Sequence, residues 1–511
     1  MRPTPGANGA FECLTALSVI LDLANGLAED KSVLAAVFAW ELAADAGLGP
    51  EDQWAALLSA LLRHLGCTAF ASVEAEVAGD DIALRSRLLR SDSSQTTDVV
   101  KAVAAAAGGR WAAGKGLLRL ASRAKELRVE LAREACGAAR LLAGQLRLDP
   151  KVARALDEVF ERHDGAGSPH GWAGEEISVV GRVANAAHVA TAFFLEGGAP
   201  LAQRVLEQRS GTVLAPDWAA RAKALTGSLG PSAADYLAAR QGKLVVFAGA
   251  RDLPATLLDV ASAFGDFGDL QSPHGRGHSR TVAGLVDGAA QQLGIAVAER
   301  EKLVLAAHLH DVGQAAISTG IWTATRALRP TERERIRTHV YFTERVLAAA
   351  APLSAIAPLA AAHHERLDGS GYHRGSAAAM LSRPARLLAA ADVYAALLQP
   401  RPHRQAFSNG RAGEELRAMA RAGALDSECV EATVAFAQGH RLSRAAGGEL
   451  TEREIEVLRL LALGRTNKQI AQALGISART VQHHTIHIYA KLSVDTRAGA
   501  ALIATRRGLI A

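Results

Sequence analysis

Cysteine is scarce in this 511-residue chain: only Cys13, Cys67, Cys136 and Cys429 occur, and no two of them form a CxxC pair. That spacing excludes a disulfide framework and a thiolate zinc site, and it suits a reducing compartment. Aromatic residues are sparse as well, at 5%, and long runs of Val, Ile and Thr are missing. Extended sheet is therefore not expected. No stretch offers 18 uninterrupted apolar residues, and the first apolar stretch carries Glu12 and Asp22 without a basic segment before it. Neither a membrane span nor an export signal is expected, which leaves the cytoplasm and no membrane partner. Charge of one sign is lacking too. A formal net charge of +5 selects no partner for the chain as a whole.

What is present is alanine and leucine, the best helix formers, within a composition 49% hydrophobic and 21% charged. Such a chain forms sizeable cores, and its length suggests about three domains. The expected fold class is all-α. Two looser segments divide the chain. The first contains Gly227, Gly230, Pro231, Gly242, Gly249 and Pro254, with Leu244 to Phe247 reading as an isolated strand or hairpin. The second contains Ser443, Gly447 and Gly448. These breaks predict domains at 10–226, 255–440 and 449–511, with linkers at 227–254 and 441–448.

The first two domains read as copies of one another. Glu161-Arg162-His163-Asp164-Gly165-Ala166-Gly167 echoes Glu365-Arg366-Leu367-Asp368-Gly369-Ser370-Gly371, and Ala186-Ala187-His188-Val189-Ala190 then falls on Ala390-Ala391-Asp392-Val393-Tyr394 without a gap. Upstream, Arg63-His64-Leu65-Gly66 falls on His310-Asp311-Val312-Gly313. Two matched segments, each gap-free, favour duplication over chance similarity between Ala-rich helices.

The last domain reads as four capped helices. Thr451 with Glu454 and Thr466 with Gln469 are capping boxes; Ser477 and Asp495 are N-caps for the third and fourth helices. Helices at about 467–474 and 478–492 are joined only by Gly475-Ile476-Ser477, the turn of a helix-turn-helix. Val481, Thr485, Ile488 and Leu492 share the inward face. Arg479, Thr480, Gln482, His483 and Ile486 occupy the end that reaches base edges in the major groove of double-stranded DNA. Gln482 suits adenine and Ile486 a thymine methyl. Nine Lys/Arg stand against five Asp/Glu from residue 449 onward. Lys468, Arg465 and Arg497 are expected phosphate contacts. The series Leu450-Thr451-Glu452-Arg453-Glu454, Thr466-Asn467-Lys468-Gln469-Ile470-Ala471 and Ile476-Ser477-Ala478-Arg479-Thr480-Val481 resembles the LuxR-type DNA-binding domain, departing from it at Gln482, where that family usually has Lys. The resemblance implies a homodimer formed through the fourth helix, with Ala498, Ala501 and Leu502 at the contact.

Nine of the seventeen histidines lie between His274 and His403, and the set includes an adjacent His/Asp pair and an adjacent His/His pair. Imidazole with carboxylate suits Mn, Fe, Co or Zn and not calcium. His278, His310-Asp311, His339, His363-His364, Asp392 and the loop Asp368-Gly369-Ser370-Gly371-Tyr372 together resemble the HD-GYP family of metal-dependent phosphohydrolases. That resemblance implies two divalent transition metals, Fe or Mn. His278, His310 and Asp392 would hold one, His339, His363 and His364 the other, with Asp311 bridging. It further implies Asp311, Arg366 and Arg404 as catalytic or phosphate-binding residues, a substrate loop of Asp368, Gly369, Gly371 and Tyr372, and cyclic di-GMP or another cyclic dinucleotide or phosphoester as substrate. The chain departs from the family at Gln314 in place of Lys, at His373 in place of the loop proline, and at Pro400-Arg401-Pro402-His403-Arg404, which lacks an Asp and a Tyr. In the first copy the matching positions are Lys31, Arg63, His64, Val159, Phe160 and His188, with Cys136 matched to His339. No binuclear site is expected there, so that copy is structural or sensory. The expected protein is a DNA-binding regulator with a phosphohydrolase domain. The competing reading is a transcription factor whose helical domains bind ligand or dimerise without catalysis.

Overall fold

The structure, a computed structural model, describes residues 9–89, 91, 96–107, 115–251, 253–439, 450–492, 494, 496–506 and 508–510. The expected linker at 441–448 and the Asp495 cap lie outside the described residues. The described residues contain helices and isolated bridges but no strand, and no helix long and apolar enough to cross a membrane. Chain contacts divide the molecule into two units, residues 1–256 with 350–352, and residues 257–349 with 353–511.

The strand expected at Leu244–Phe247 is instead part of a helix, Ala233–Gly249. Ser232 explains it: its side chain accepts from the Asp235 backbone N–H and caps the helix start. Leu244 and Ala248 then bury at helical spacing.

The two units repeat the same local devices. In the first, the Asp22 carboxylate accepts from the backbone N–H (3.0 Å) and hydroxyl (2.6 Å) of Ser32, the second residue of the helix Lys31–Asp45. In the second, Asp269 accepts from both groups of Ser279, the second residue of the helix His278–Gln292. A carboxylate at a helix N-terminus satisfies an orphan N–H and complements the dipole. Glu161 accepts from the backbone N–H groups of His170, Gly171 and Trp172. Glu365 does the same for Arg374 and Ser376. Ser178 and Ser382 cap the helices that carry His188 and Asp392.

Gly66 and Gly313 fix how closely a long helix approaches. A Cβ at Gly313 would lie 2.1 Å from the His339 carbonyl oxygen, and one at Gly66 would lie 1.9 Å from that of Ala135. Ala135, not Cys136, is therefore the counterpart of His339. Cys136 is one residue along the helix, buried at 1% exposure. The helix Lys115–Gln145 carries no motif to fix its register, which is why sequence matching slipped there.

The core of the second unit centres on Val282, Val286, Leu303, Leu387, Tyr394 and Val430. Its last four helices, Glu452–Ala462, Asn467–Leu474, Ala478–Leu492 and Arg497–Arg506, close around Val457, Leu461, Ile470, Val481 and Ile488. Both capping boxes form. Gly475 ends the second of these helices at φ 64°, a conformation costly for any residue with a Cβ. Ser477 Oγ accepts from Thr480 N at 3.0 Å at the start of the third.

Candidate metal centre and DNA-reading surface

The second unit brings its histidines and aspartates to one point. His278 opens its helix, His310 and Asp311 follow the helix Val297–Leu309, and His339 lies within Pro330–Ala349. His363 and His364 follow the short helix Ala357–Ala360, and Asp392 is on Arg383–Leu398. Two groups of ligand atoms result: Asp311, His339, His363 and His364, and His278, His310, Asp311 and Asp392. Asp311 belongs to both.

The orientation of the rings decides what the cluster fits. Nδ1 of His310, His339 and His363 lies 2.8, 2.6 and 2.7 Å from the carbonyl oxygens of Ala307, Ile336 and Ala360. Those carbonyls take the Nδ1 protons and leave the Nε2 lone pairs facing inward, the outer-shell arrangement that orients metal-bound imidazoles. His339 Nε2 and His363 Nε2 are 3.2 Å apart, and each is 3.3 Å from Asp311 Oδ1. That oxygen is buried and has no hydrogen-bond donor. Three acceptors thus converge with no proton among them, and only a cation relieves the repulsion. On the other side, His310 Nε2 is 3.3 Å from His278 Nε2 and 3.4 Å from Asp311 Oδ2, and His278 Nε2 is 3.0 Å from Asp392 Oδ1. The residues present fit divalent transition metals in both chemistry and geometry.

Burial acts to lower His310, but Asp311 and Asp392 override it and hold the imidazole well above its ordinary value, so a metal there displaces a proton. Burial acts to raise the Asp311 and Asp392 carboxyls, but the imidazoles beside them override it and hold both well below the usual carboxylate range. Burial also holds His363 below the ordinary imidazole value and His364 well below it, keeping both neutral.

The residues expected around the cluster separate into two groups. Tyr372 packs on His364 with ring centroids 4.6 Å apart, and its backbone N–H donates to His364 O. Asp368 Oδ1 accepts from both the N–H and hydroxyl of Ser370, so Asp368, with Gly369 at φ 76° and Gly371 beside it, shapes the loop. Arg366 Nη1 donates to the carbonyls of His363 and Glu365. Arg404 has a different task from the one expected. Its guanidinium donates to the carbonyls of Leu397, Ala396, Gln399 and Gln405 and lies 4.5 Å over the Phe407 ring. It clamps a helix end and is withdrawn from phosphate binding. His373, standing where the family has proline, lies 3.6 Å from Glu344. The sequence reading missed Trp322, whose ring packs edge-on against His339 and whose buried Nε1 has no hydrogen-bond partner. An isolated tryptophan offered no spacing that would have pointed to it.

The face expected to read DNA is open. Lys468, Arg479, Thr480, Gln482 and His483 are exposed, and Ile486 is 56% exposed despite its size. Asn467 Nδ2 donates to Gln482 Oε1 at 2.6 Å and presets its direction. Arg497 donates to the Arg465 carbonyl oxygen and is partly committed within the domain. Ala498, Ala501 and Leu502, expected at a dimer contact, are at most 3% exposed within this chain. The fourth helix lies against the loop that enters the metal centre: a Cβ at Gly277 would meet the Thr505 side chain at 3.3 Å, and Arg276 Nη1 donates to Ala462 O at 3.2 Å. The next residue along is His278.

Residues 266–429 match the family model described as HD domain, and residues 448–504 match that of bacterial regulatory proteins, luxR family. The 3'3'-cGAMP-specific phosphodiesterase 3 of Vibrio cholerae is 27% identical over 404 residues, covering 78% of this chain and 88% of that protein. The cyclic di-GMP phosphodiesterase response regulator RpfG of Xanthomonas campestris is 35% identical over 153 residues, 30% of this chain and 39% of that protein. A crystal structure of a cyclic GMP-AMP specific phosphodiesterase of V. cholerae (V-cGAP3) shares the fold with a TM-score of 0.53 at 22% identity, over 84% of this chain and 97% of that one.

Proposed function

This chain carries an HD domain joined to a luxR-type DNA-binding domain, and from that premise we propose that it is a cyclic-dinucleotide phosphodiesterase and a reader of double-stranded DNA in one polypeptide. The observation that carries the catalytic half is the sharing of Asp311 between two inward-facing ligand sets. Two Fe or Mn ions held there would supply a hydroxide near neutral pH and clamp the phosphate oxygens. The protein's own contribution is orientation. Backbone carbonyls fix three imidazoles, Asp311 spans both sets, and Tyr372 with the 368–371 loop borders the centre. The substrate class is 3'3'-cGAMP or cyclic di-GMP, a reading supported by similarity to relatives named for each. Hydrolysis of both by the Mn- or Fe-loaded chain tests the reading, with Asp311→Ala as control. Linear product from the parent chain alone supports it; no product from either nucleotide with metal bound contradicts it.

Two observations favour a second reading, in which the centre binds nucleotide without turnover. Gln314 supplies no cation, and Arg404 is committed to a helix end. Under either reading the clasp at Arg276 and Gly277 links ligand binding to the DNA-reading helices. DNA affinity at fixed salt, measured with and without nucleotide, is expected to differ. Equal affinities would contradict the link.

A further inference from the structure

The first unit keeps a cavity of about 540 Å³ at the place where the second unit has its metal centre. Its walls include His64, Val159, Phe160 and His188, the counterparts of Asp311, His363, His364 and Asp392. Among the described residues no metal-ligand set forms here. Lys31 Nζ lies 2.5 Å from His188 Nδ1, where His278 meets Asp392 in the other copy. Arg63, the counterpart of His310, donates to the Asn185 side chain and to the Val159 carbonyl oxygen. Cationic side chains stand where metal ligands stand in the other copy, and the space beside them remains.

Five arginines line that space, with two glutamates, Glu74 and Glu161. Arg85 also pairs with Asp81 at 3.3 Å and Arg162 with Asp164 at 2.7 Å. Both glutamates are already engaged, Glu74 by Arg85 at 2.6 Å and Glu161 by three backbone N–H groups. Among the described residues Arg63 has only neutral acceptors, and a cation buried without a counter-charge is costly unless a ligand supplies one. Two further buried polar atoms of lining residues, His64 Nε2 and Ser168 Oγ, have no hydrogen-bond partner. Buried polar groups are rarely left so. The remaining wall is aliphatic, from helices Ala71–Ala78, Asp81–Leu88 and Thr96–Ala106, and includes Val77, Leu88 and Val103. Val73 and Phe160 line it as well, 37% and 38% exposed despite their size. The volume lies within the range of small-molecule sites.

We propose that this vestigial copy is a binding site for a small organic anion with an apolar body, its carboxylate or phosphate head at Arg63 and its body against the aliphatic helices. The apolar side chains that these three helices present, Val77, Leu88 and Val103 among them, favour an alkyl or aryl body. The site is separate from the metal centre and needs no metal.

Titration of the full chain with decanoate, decyl phosphate and decanol tests it, followed by displacement of the fluorescent anion 8-anilinonaphthalene-1-sulfonate. One decanoate or decyl phosphate is expected to bind per chain, at least tenfold more tightly than decanol, and the preferred head group separates carboxylate from phosphate ligands. Arg63→Gln is expected to weaken that binding at least tenfold, and Val77→Trp to abolish it by filling the cavity. Asp311→Asn, in the other unit, should leave it unchanged. Circular dichroism on each variant separates lost binding from lost folding, and Val77→Trp stands as the test if Arg63→Gln does not fold. Decanol binding as tightly as decanoate, GMP displacing the dye as well as decyl phosphate, or anion binding indifferent to the folded variants would each overturn the proposal.

Discussion

The two copies of the helical domain keep the same scaffold and exchange its chemistry. Each has an Asp clamping a Ser at a helix start, a Glu holding the loop that follows, and a glycine admitting the long helix. Yet His278, His310, Asp311, His339, His363, His364 and Asp392 in one are Lys31, Arg63, His64, Ala135, Val159, Phe160 and His188 in the other. Converging lone pairs and carboxylates call for external cations; in the first copy Lys31 and Arg63 stand at two of those positions instead. Burial lowers the Lys31 ammonium from its ordinary value, against the pull of Asp22. The comparison teaches that the donors of a candidate metal centre can be exchanged while the devices that position those residues stay intact.

The largest expected effect comes from breaking the shared ligand. Asp311→Ala should lower cyclic-dinucleotide hydrolysis by on the order of 10³-fold or more, since it removes a donor from both ligand sets. Val159→Ala, at the position matching His363, should leave the rate within about twofold, as no donor is lost there. Steady-state assays of both variants sharpen the contrast, and a comparable loss in the two would break it.

Next come the glycines. Gly313→Ala and Gly66→Ala should each destabilise their unit by about 1–3 kcal/mol, because the new methyl meets a backbone carbonyl that cannot swing away. Calorimetry should show similar losses, whereas bound metal should fall only in Gly313→Ala, whose long helix carries His339. Metal lost equally from both would mean the units do not hold their sites independently.

Smaller effects lie in the DNA-reading helices. Lys468→Ala should weaken binding similarly for all DNA sequences and reduce the slope of log affinity against log salt by about 1. A change confined to one sequence would instead make Lys468 a base reader. The last effect is one of pH. Burial pushes Glu454 up, but Lys491 and both groups of Thr451 override it and hold the carboxyl at about 2, below its ordinary 4.5. A depressed acid stabilises the fold above its unfolded pKa and loses that contribution as pH falls through its folded one. Melting curves of the parent chain and Glu454→Gln should therefore differ most above pH 4.5 and converge toward pH 2. A constant gap would contradict the assignment.

Much of this was legible in the sequence because it rests on short-range spacing. The capping boxes at Thr451 and Thr466, the turn at Gly475 and the inward stripe through Val481 and Ile488 need only helical geometry. The residues of the candidate metal centre were legible through the order of His and Asp, although their convergence is tertiary. Other features depended on contacts no local pattern encodes. Leu244 to Phe247 is helical because Ser232, twelve residues earlier, starts the helix. Arg404 turns back onto the end of the helix that carries Asp392, and the register of Ala135 is set by Gly66 across the fold. The packing of Thr505 against Gly277 joins residues more than two hundred positions apart.

The most direct test of the contrast between the copies is the metal content of the full chain purified with Mn or Fe, measured by inductively coupled plasma mass spectrometry. Close to two ions per chain, falling sharply in Asp311→Ala, is the result expected from one competent centre and one that carries its own cations. A content near zero, or one near four, would contradict it.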